Sequence, residues 1–234
     1  MKPATRCLMF LAMFLTITVP GFGKTANQYF AEGNAKAGRQ DNKGAIKSFT
    51  KAIALQPGFV GAYVHRALAK LSRGDTQGMS EDLRKALELQ PDFAEAYAVR
   101  GLAEISGHDS KSAITDFTKA IQLNPKYALS YIGRGKLLLD EGDFEGAIRD
   151  HNLATQLSPG LAAQFGSAFA PAYCRRGSAK LSKGDTDGAI ADFTKAVELQ
   201  PNLMDAYKGR SAAKRAKGDM VGASADLATA TALR

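Results

Sequence analysis

The chain has 234 residues, 45% of them apolar and 23% charged, and a formal charge of +8. These are the proportions of a folded soluble protein, and eight evenly spread prolines argue against a disordered linker. The positive balance leaves nucleic acid, anionic membrane and acidic proteins open as partners.

Lys2 and Arg6 give the chain a positive start, and an apolar run extends from Cys7 to Val19. Pro20 breaks that run, and Gly21-Phe22-Gly23 supplies small residues at the two positions a signal peptidase reads. The run is 13 residues long, short of the roughly 20 that a membrane-spanning helix needs. Residues 1–23 are therefore expected to be a secretory signal cut after Gly23, with an uncleaved N-terminal membrane anchor as the alternative. Cleavage removes Lys2 and Arg6 and no acidic residue, so the charge falls from +8 to +6. It also leaves Cys174 as the single cysteine. The exported chain, periplasmic or secreted, then has no stable membrane span and must be held by its core and not by disulfides. Gly23-Lys24-Thr25 has the ending of a phosphate loop, but Thr18 stands where the leading glycine is required.

Beyond the signal the chain repeats. Pro57, Pro91, Pro125 and Pro159 are each 34 residues apart, and Pro201 follows after 42. Twenty-eight residues before each proline is a tyrosine, Tyr29, Tyr63, Tyr97, Tyr131 and Tyr173, and Tyr207 continues the series. A small residue comes four positions later: Gly33, Ala67, Gly101, Gly135, Gly177, Ser211. A second mostly small position (Ala45, Met79, Ala113, Ala147, Ala189, Ala223) precedes a large one (Phe49, Leu83, Phe117, His151, Phe193, Leu227). A third small position is always alanine, from Ala52 to Ala230. The units are 26–59, 60–93, 94–127, 128–161, 170–203 and 204–234, with eight extra residues, Ala162 to Phe169, between the fourth and fifth.

Each unit reads as two helices. Ala94 to Ser106 carries the tyrosine and the first small residue; Ser110 to Leu123 carries Ile114, Phe117 and Ile121 on one face. Between the helices four units have Gly-Asp: Gly74-Asp75, Gly142-Asp143, Gly184-Asp185 and Gly218-Asp219. Glycine ends the first helix in the left-handed conformation, aspartate caps the second, and proline marks the boundary after it. No unit can bury its apolar face alone, so neighbours must stack into a continuous core.

The pattern aromatic-x3-Gly…Ala-x3-Phe…Ala…Pro resembles the tetratricopeptide repeat. The resemblance covers residues 26 to 234, with two departures: tyrosine stands in place of the family's tryptophan, and arginine in place of its leucine before the first small residue. It implies an all-α, right-handed superhelical solenoid of helix-turn-helix units, without catalysis and without a cofactor. It also implies a concave groove lined by the first helices and able to take a peptide or partner helix. The groove positions would be Phe30 and Asn34, Val64 and Leu68, Ala98 and Leu102, Ile132 and Lys136, Cys174 and Ser178, Lys208 and Ala212. Phe30 replaces the lysine that the family's clamp for acidic chaperone tails requires, which points instead to an apolar or mildly acidic peptide.

Arg66, Arg100, Arg134, Arg176 and Arg210 recur at one position, and Asp82, Asp116, Asp150, Asp192 and Asp226 at another. Because both are missing from the first unit, the expectation is a structural Arg–Asp ladder, within or between units, and not a site for acidic ligands. Only the last unit is polar at both of two positions, Ser224 and Thr231, as a terminal cap should be (the second unit has Ser80 but keeps Leu87, the fourth has Thr155 but keeps Ile148), although its end could also pair with a second copy as a homodimer. His65, His108 and His151 occupy three different repeat positions, so no metal site is expected. Lysines such as Lys51, Lys85, Lys119 and Lys195 recur without interleaved aromatics, which argues against nucleic acid. The eight-residue insertion, with Phe165 and Phe169, is expected either to lengthen the fifth unit's first helix or to loop beside the groove, as a partner-contacting protrusion or as cover for the junction. The chain is thus expected to be a non-catalytic scaffold or adaptor. The alternatives are a self-associating envelope component and an accessory domain of a separate enzyme.

Overall fold

The computed structural model describes residues 23–233. The expected signal, residues 1–23, lies outside the described residues apart from Gly23. Thirteen α-helices are described, twelve of them in antiparallel pairs. The pairs are α1 (Ala26–Gly38) with α2 (Asn42–Leu55), α3 (Val60–Leu71) with α4 (Thr76–Leu89), α5 (Ala94–Ser106) with α6 (Ser110–Leu123), and α7 (Ala128–Asp140) with α8 (Phe144–Leu157). After the short α9 (Pro159–Phe165) and a 3-10 turn (Gly166–Phe169) come α10 (Ala170–Ser182) with α11 (Thr186–Leu199) and α12 (Met204–Ala216) with α13 (Met220–Ala232). The fold is an all-α solenoid.

The same local chemistry starts every second helix. Asp41, Asp75, Asp109, Asp143, Asp185 and Asp219 each accept a hydrogen bond from the backbone N–H three residues on, at 2.8–3.1 Å. This satisfies a donor that the first turn leaves unpaired. The preceding residue is left-handed in all six units: glycine in four, with φ from +77° to +91°, and Gln40 and His108 at +62° and +61°. The aspartate cap is therefore general even where the glycine has been replaced.

Packing between units follows a volume rule that is written in pairs. In the regular units the large residue of the second helix meets the small residue of its own first helix and a second position on the next first helix. A Cβ on Gly101 would stand 3.2 Å from Phe117, and one on Gly133 would stand 2.4 Å from the same ring. Phe193 is likewise enclosed, with Gly177 at 3.2 Å and Gly209 at 2.2 Å. At the α4–α5 junction the smaller Leu83 faces the larger Val99 in one apolar cluster. At the α2–α3 junction both partners are large, and Phe49 meets His65 edge-on with ring centroids 5.8 Å apart.

The fourth unit breaks the rule and the insertion repairs it. His151 stands where phenylalanine is usual and is 2% exposed; burial lowers its pKa below the ordinary histidine range. Phe169, from the 3-10 turn, is fully buried and stacks on His151 with ring centroids 4.6 Å apart. It is Phe169 that approaches Gly135, 3.0 Å from where a Cβ would be. The insertion thus neither lengthens α10 nor forms an open loop. It is a short helix, begun by Pro159, and a turn, wedged among α7, α8 and α10. The wedge also moves a tyrosine. Tyr97, Tyr131 and Tyr207 donate to the carbonyls of Pro91, Pro125 and Pro201 at 3.0–3.1 Å. Tyr173 donates instead to Asn152 Oδ1 at 2.8 Å.

First helices touch the next first helix, α1 with α3, α3 with α5, α5 with α7 and α10 with α12, whereas no two successive second helices make comparable contact among the described residues. The stack therefore closes on the first-helix side, which becomes its inner face. No described helix is long and apolar enough to cross a membrane.

Candidate protein-binding groove

The arginines expected in a ladder are all engaged. Arg66, Arg100, Arg134, Arg176 and Arg210 each grip Asp82, Asp116, Asp150, Asp192 and Asp226 of the same unit by two parallel bonds, Nε and Nη2 to the two carboxylate oxygens, at 2.5–2.9 Å. The aspartates are buried, at 5% exposure or less. Each guanidinium lies 5.2–6.0 Å from the ring of the tyrosine three residues earlier. Nη1 of Arg66, Arg134 and Arg210 reaches back to Thr50, Thr118 and Thr194 of the preceding unit. The ladder thus ties units together and commits Nε and Nη2 of every guanidinium to a buried aspartate, leaving only Nη1 of Arg100 without a partner among the described residues. In the first unit Glu32 takes the arginine's place and accepts from Lys24, Lys36 and Ser48, which hold its carboxyl at about 2.

One rung is electrostatically unfavourable. Lys70, Lys180 and Lys214 add a second cation to their aspartates at 2.9 Å, but the third unit has Glu104 at that position. Its Oε2 is buried with no hydrogen-bond partner among the described residues. Burial first, and then the Asp116 charge, push Glu104 up to about 7. Because the folded value is raised above 4.5, this group's contribution is intact below pH 4.5 and is lost as the pH rises through about 7. Thermal melts between pH 5 and 8 should therefore fall less steeply for Glu104→Gln, and Glu104→Lys should melt above the parent at pH 8.

Along the inner face, the expected groove positions divide into two kinds. Val64, Ala98 and Ile132 are 1%, 0% and 2% exposed and pack between helices, so they offer nothing to a ligand; this corrects their assignment to the groove. The position beside the tyrosine points into the stack wherever neighbouring helices cover it, first helices on both sides of Val64 and Ala98, and α9 beside Ile132. Its partner four residues on stays accessible: Asn34 and Leu102 are half-buried, while Leu68, Lys136, Ser178 and Ala212 are exposed. Phe30 and Cys174 are half-buried and Lys208 is exposed. Burial pushes the Cys174 thiol up to about 11, which makes it a poor nucleophile.

The two halves of this face differ. At the N-terminal end Phe30 packs against Phe59 and His65, with centroids 4.8 and 4.9 Å apart. His65 Nδ1 meets Asn34 Oδ1 at 2.7 Å, and its Nε2 stands 3.7 Å from Glu95. These contacts link α1, α3 and α5 across the face. In the C-terminal half two clefts adjoin at Pro171. One, of about 300 Å³, is lined by Lys136, Leu139, Asp140, Phe144, Ala168, Pro171 and Ala172. The other, of about 510 Å³, is lined by Pro171, Cys174, Arg175, Ser178, Phe193, Leu203 and Asp205. Lys136 and Arg175 lie 5.7 and 5.9 Å from the rings of Phe165 and Phe144, so cations stand over apolar walls. Lys136, Cys174 and Ser178 were legible from repeat spacing; Arg175, Pro171 and Ala168 were not, because the insertion shapes this region.

Models of the tetratricopeptide repeat match residues 60–93, 99–162 and 170–203, more than half of the chain. The chain is a tetratricopeptide-repeat protein. No curated protein matches it. Among solved structures, a chain of the APC/C hetero-tetramer Cut9-Hcn1 is similar with a TM-score of 0.59 at 18% identity, over 89% of this chain but 40% of that one. TTC0263, a thermophilic TPR protein of Thermus thermophilus, is similar at 0.56 and 21%, over 84% of this chain and 100% of its own. YrrB, described as a TPR protein with an unusual peptide-binding site, is similar at 0.50 and 20%, over 77% and 89%. At these identities the likeness is one of fold.

Proposed function

We propose that the chain is a non-catalytic scaffold that binds an acidic, apolar-anchored peptide or partner helix in the two clefts flanking Pro171. The observation that carries this reading is the meeting of apolar walls with Lys136 and Arg175, each cleft also holding one aspartate (Asp140, Asp205), at one continuous place on the inner face. Apolar side chains would seat beside Phe144, Leu139 and Leu203, and acidic ones would meet Lys136, Arg175 and the exposed Lys208. Peptide binding by YrrB, named in its description, is compatible with this use of the fold. The positive stretch and apolar run at residues 1–23 support export of the scaffold, either cleaved or N-terminally anchored.

Selection of peptides from a random library against the full chain is expected to enrich sequences with alternating acidic and apolar residues. Lys136→Glu with Lys208→Glu should weaken their binding about tenfold, about 1.4 kcal/mol. Unchanged affinity removes the acidic component. A second reading, self-association through the C-terminal end, is favoured by the exposure of Met220, Val221 and Leu227 at 61%, 85% and 45% on α13. Sedimentation of the chain over a range of concentrations separates a monomeric scaffold from an assembling one.

A further inference from the structure

The second-helix side of the stack carries another cleft, of about 390 Å³, at the junction of the second and third units. It is within the size range of small-ligand pockets. Its origin can be read from the repeat. Four other second helices have isoleucine one residue after the second small position (Ile46, Ile114, Ile148, Ile190), and the second unit has Ser80. Leu83 there also replaces a phenylalanine, and α4 and α5 meet over less of their length than α2 and α3 or α6 and α7. Met79, Leu83 and Leu87 form an apolar floor, and Ser80 leaves the mouth open.

Charge at the rim is equally unusual. Arg84 stands where Thr50, Thr118 and Thr194 accept from the arginine of the next unit. Arg100 therefore loses that partner. Its Nε and Nη2 hold Asp116, but Nη1 has no hydrogen-bond partner among the described residues. Its side chain is 43% exposed, against 15–22% for the other four ladder arginines. The rim carboxylate, Glu88, is already engaged by Arg84 and Lys85.

We propose that this cleft is a binding site for an amphipathic carboxylate, a small molecule with an apolar chain on Met79, Leu83 and Leu87 and its carboxylate between Arg100 Nη1 and Arg84. The complementarity is specific in sign: the donor without a partner, Arg100 Nη1, is cationic, and the rim carboxylate Glu88 is shared between two cations, Arg84 and Lys85. The site lies away from the clefts at Pro171, and its occupancy stands or falls independently of peptide binding there.

The test uses octanoate, butyrate and octylammonium as probes, titrated at millimolar concentration into the full chain and followed by amide chemical shifts. Saturable shifts confined to α4 and α5 are expected with octanoate, weaker ones with butyrate, and none with octylammonium. Ser80→Ile restores the residue of the other units, so this variant should fold, melt no lower than the parent and lose octanoate affinity about tenfold or more. Arg84→Thr should lose about threefold or more, about 0.7 kcal/mol. Absence of saturable octanoate binding overturns the proposal. So does equal binding of octylammonium, or octanoate affinity unchanged in a folded Ser80→Ile chain.

Discussion

Replacing Phe169 by alanine is expected to destabilise the protein by about 3–5 kcal/mol, as much as removing a phenylalanine from the regular core. Phe169 belongs to the insertion, so sequence comparison with the other units would mark it as dispensable. The structure argues the reverse. Its ring is fully buried, stacks on His151 and fills the space against Gly135. In regular units that space is closed by the phenylalanine of the second helix itself. His151→Phe does not remove the need, because the wedge of α9 and the turn still separates α7 from α10. Urea unfolding of the parent, Phe169→Ala and Phe117→Ala should give similar midpoint shifts for the two variants. If Phe169→Ala leaves the midpoint unchanged, the insertion is an ornament and not part of the core.

Asp150→Ala is the second large effect, expected to cost about 3–5 kcal/mol because it leaves the arginine partly buried and unpaired. Asp150 is 1% exposed and has no lysine beside it, unlike Asp82, Asp192 and Asp226. Arg134 holds it by two bonds of 2.8 Å and continues to Thr118 of the preceding unit, so the loss is felt across a junction. The double variant Arg134→Met with Asp150→Leu should recover most of the stability, since a well-packed apolar pair can replace a buried ion pair at little cost. A double variant no more stable than Asp150→Ala contradicts this account of the rung.

Much of the fold could be read from spacing, because helix pairing is dictated locally. Within a unit the Tyr–Gly pair, the Asp cap and the proline lie fewer residues apart than one repeat, and each acts on its own turn or helix. That Arg and Asp would pair followed from their vanishing together, but whether they pair within or between units did not. Three kinds of feature were hidden because they depend on what lies across a junction. Val64, Ala98 and Ile132 occupy the same position as the accessible Lys208, and only neighbouring helices decide that they are buried. Phe169 has no counterpart in any unit, so its register with His151 could not be inferred. Glu104 reads as an ordinary surface residue until the buried Asp116 is placed beside it.

The claim that a peptide or protein partner binds on the first-helix side is tested most directly by photo-crosslinking in cells that produce the full chain. A photoreactive phenylalanine derivative is placed at Ser178, beside the clefts, or at Lys119, on the exposed face of α6. Adducts with a discrete partner are expected at 178 and not at 119, and they should disappear when Lys136 and Lys208 are both made glutamate. Adducts at 119 with none at 178 contradict the groove.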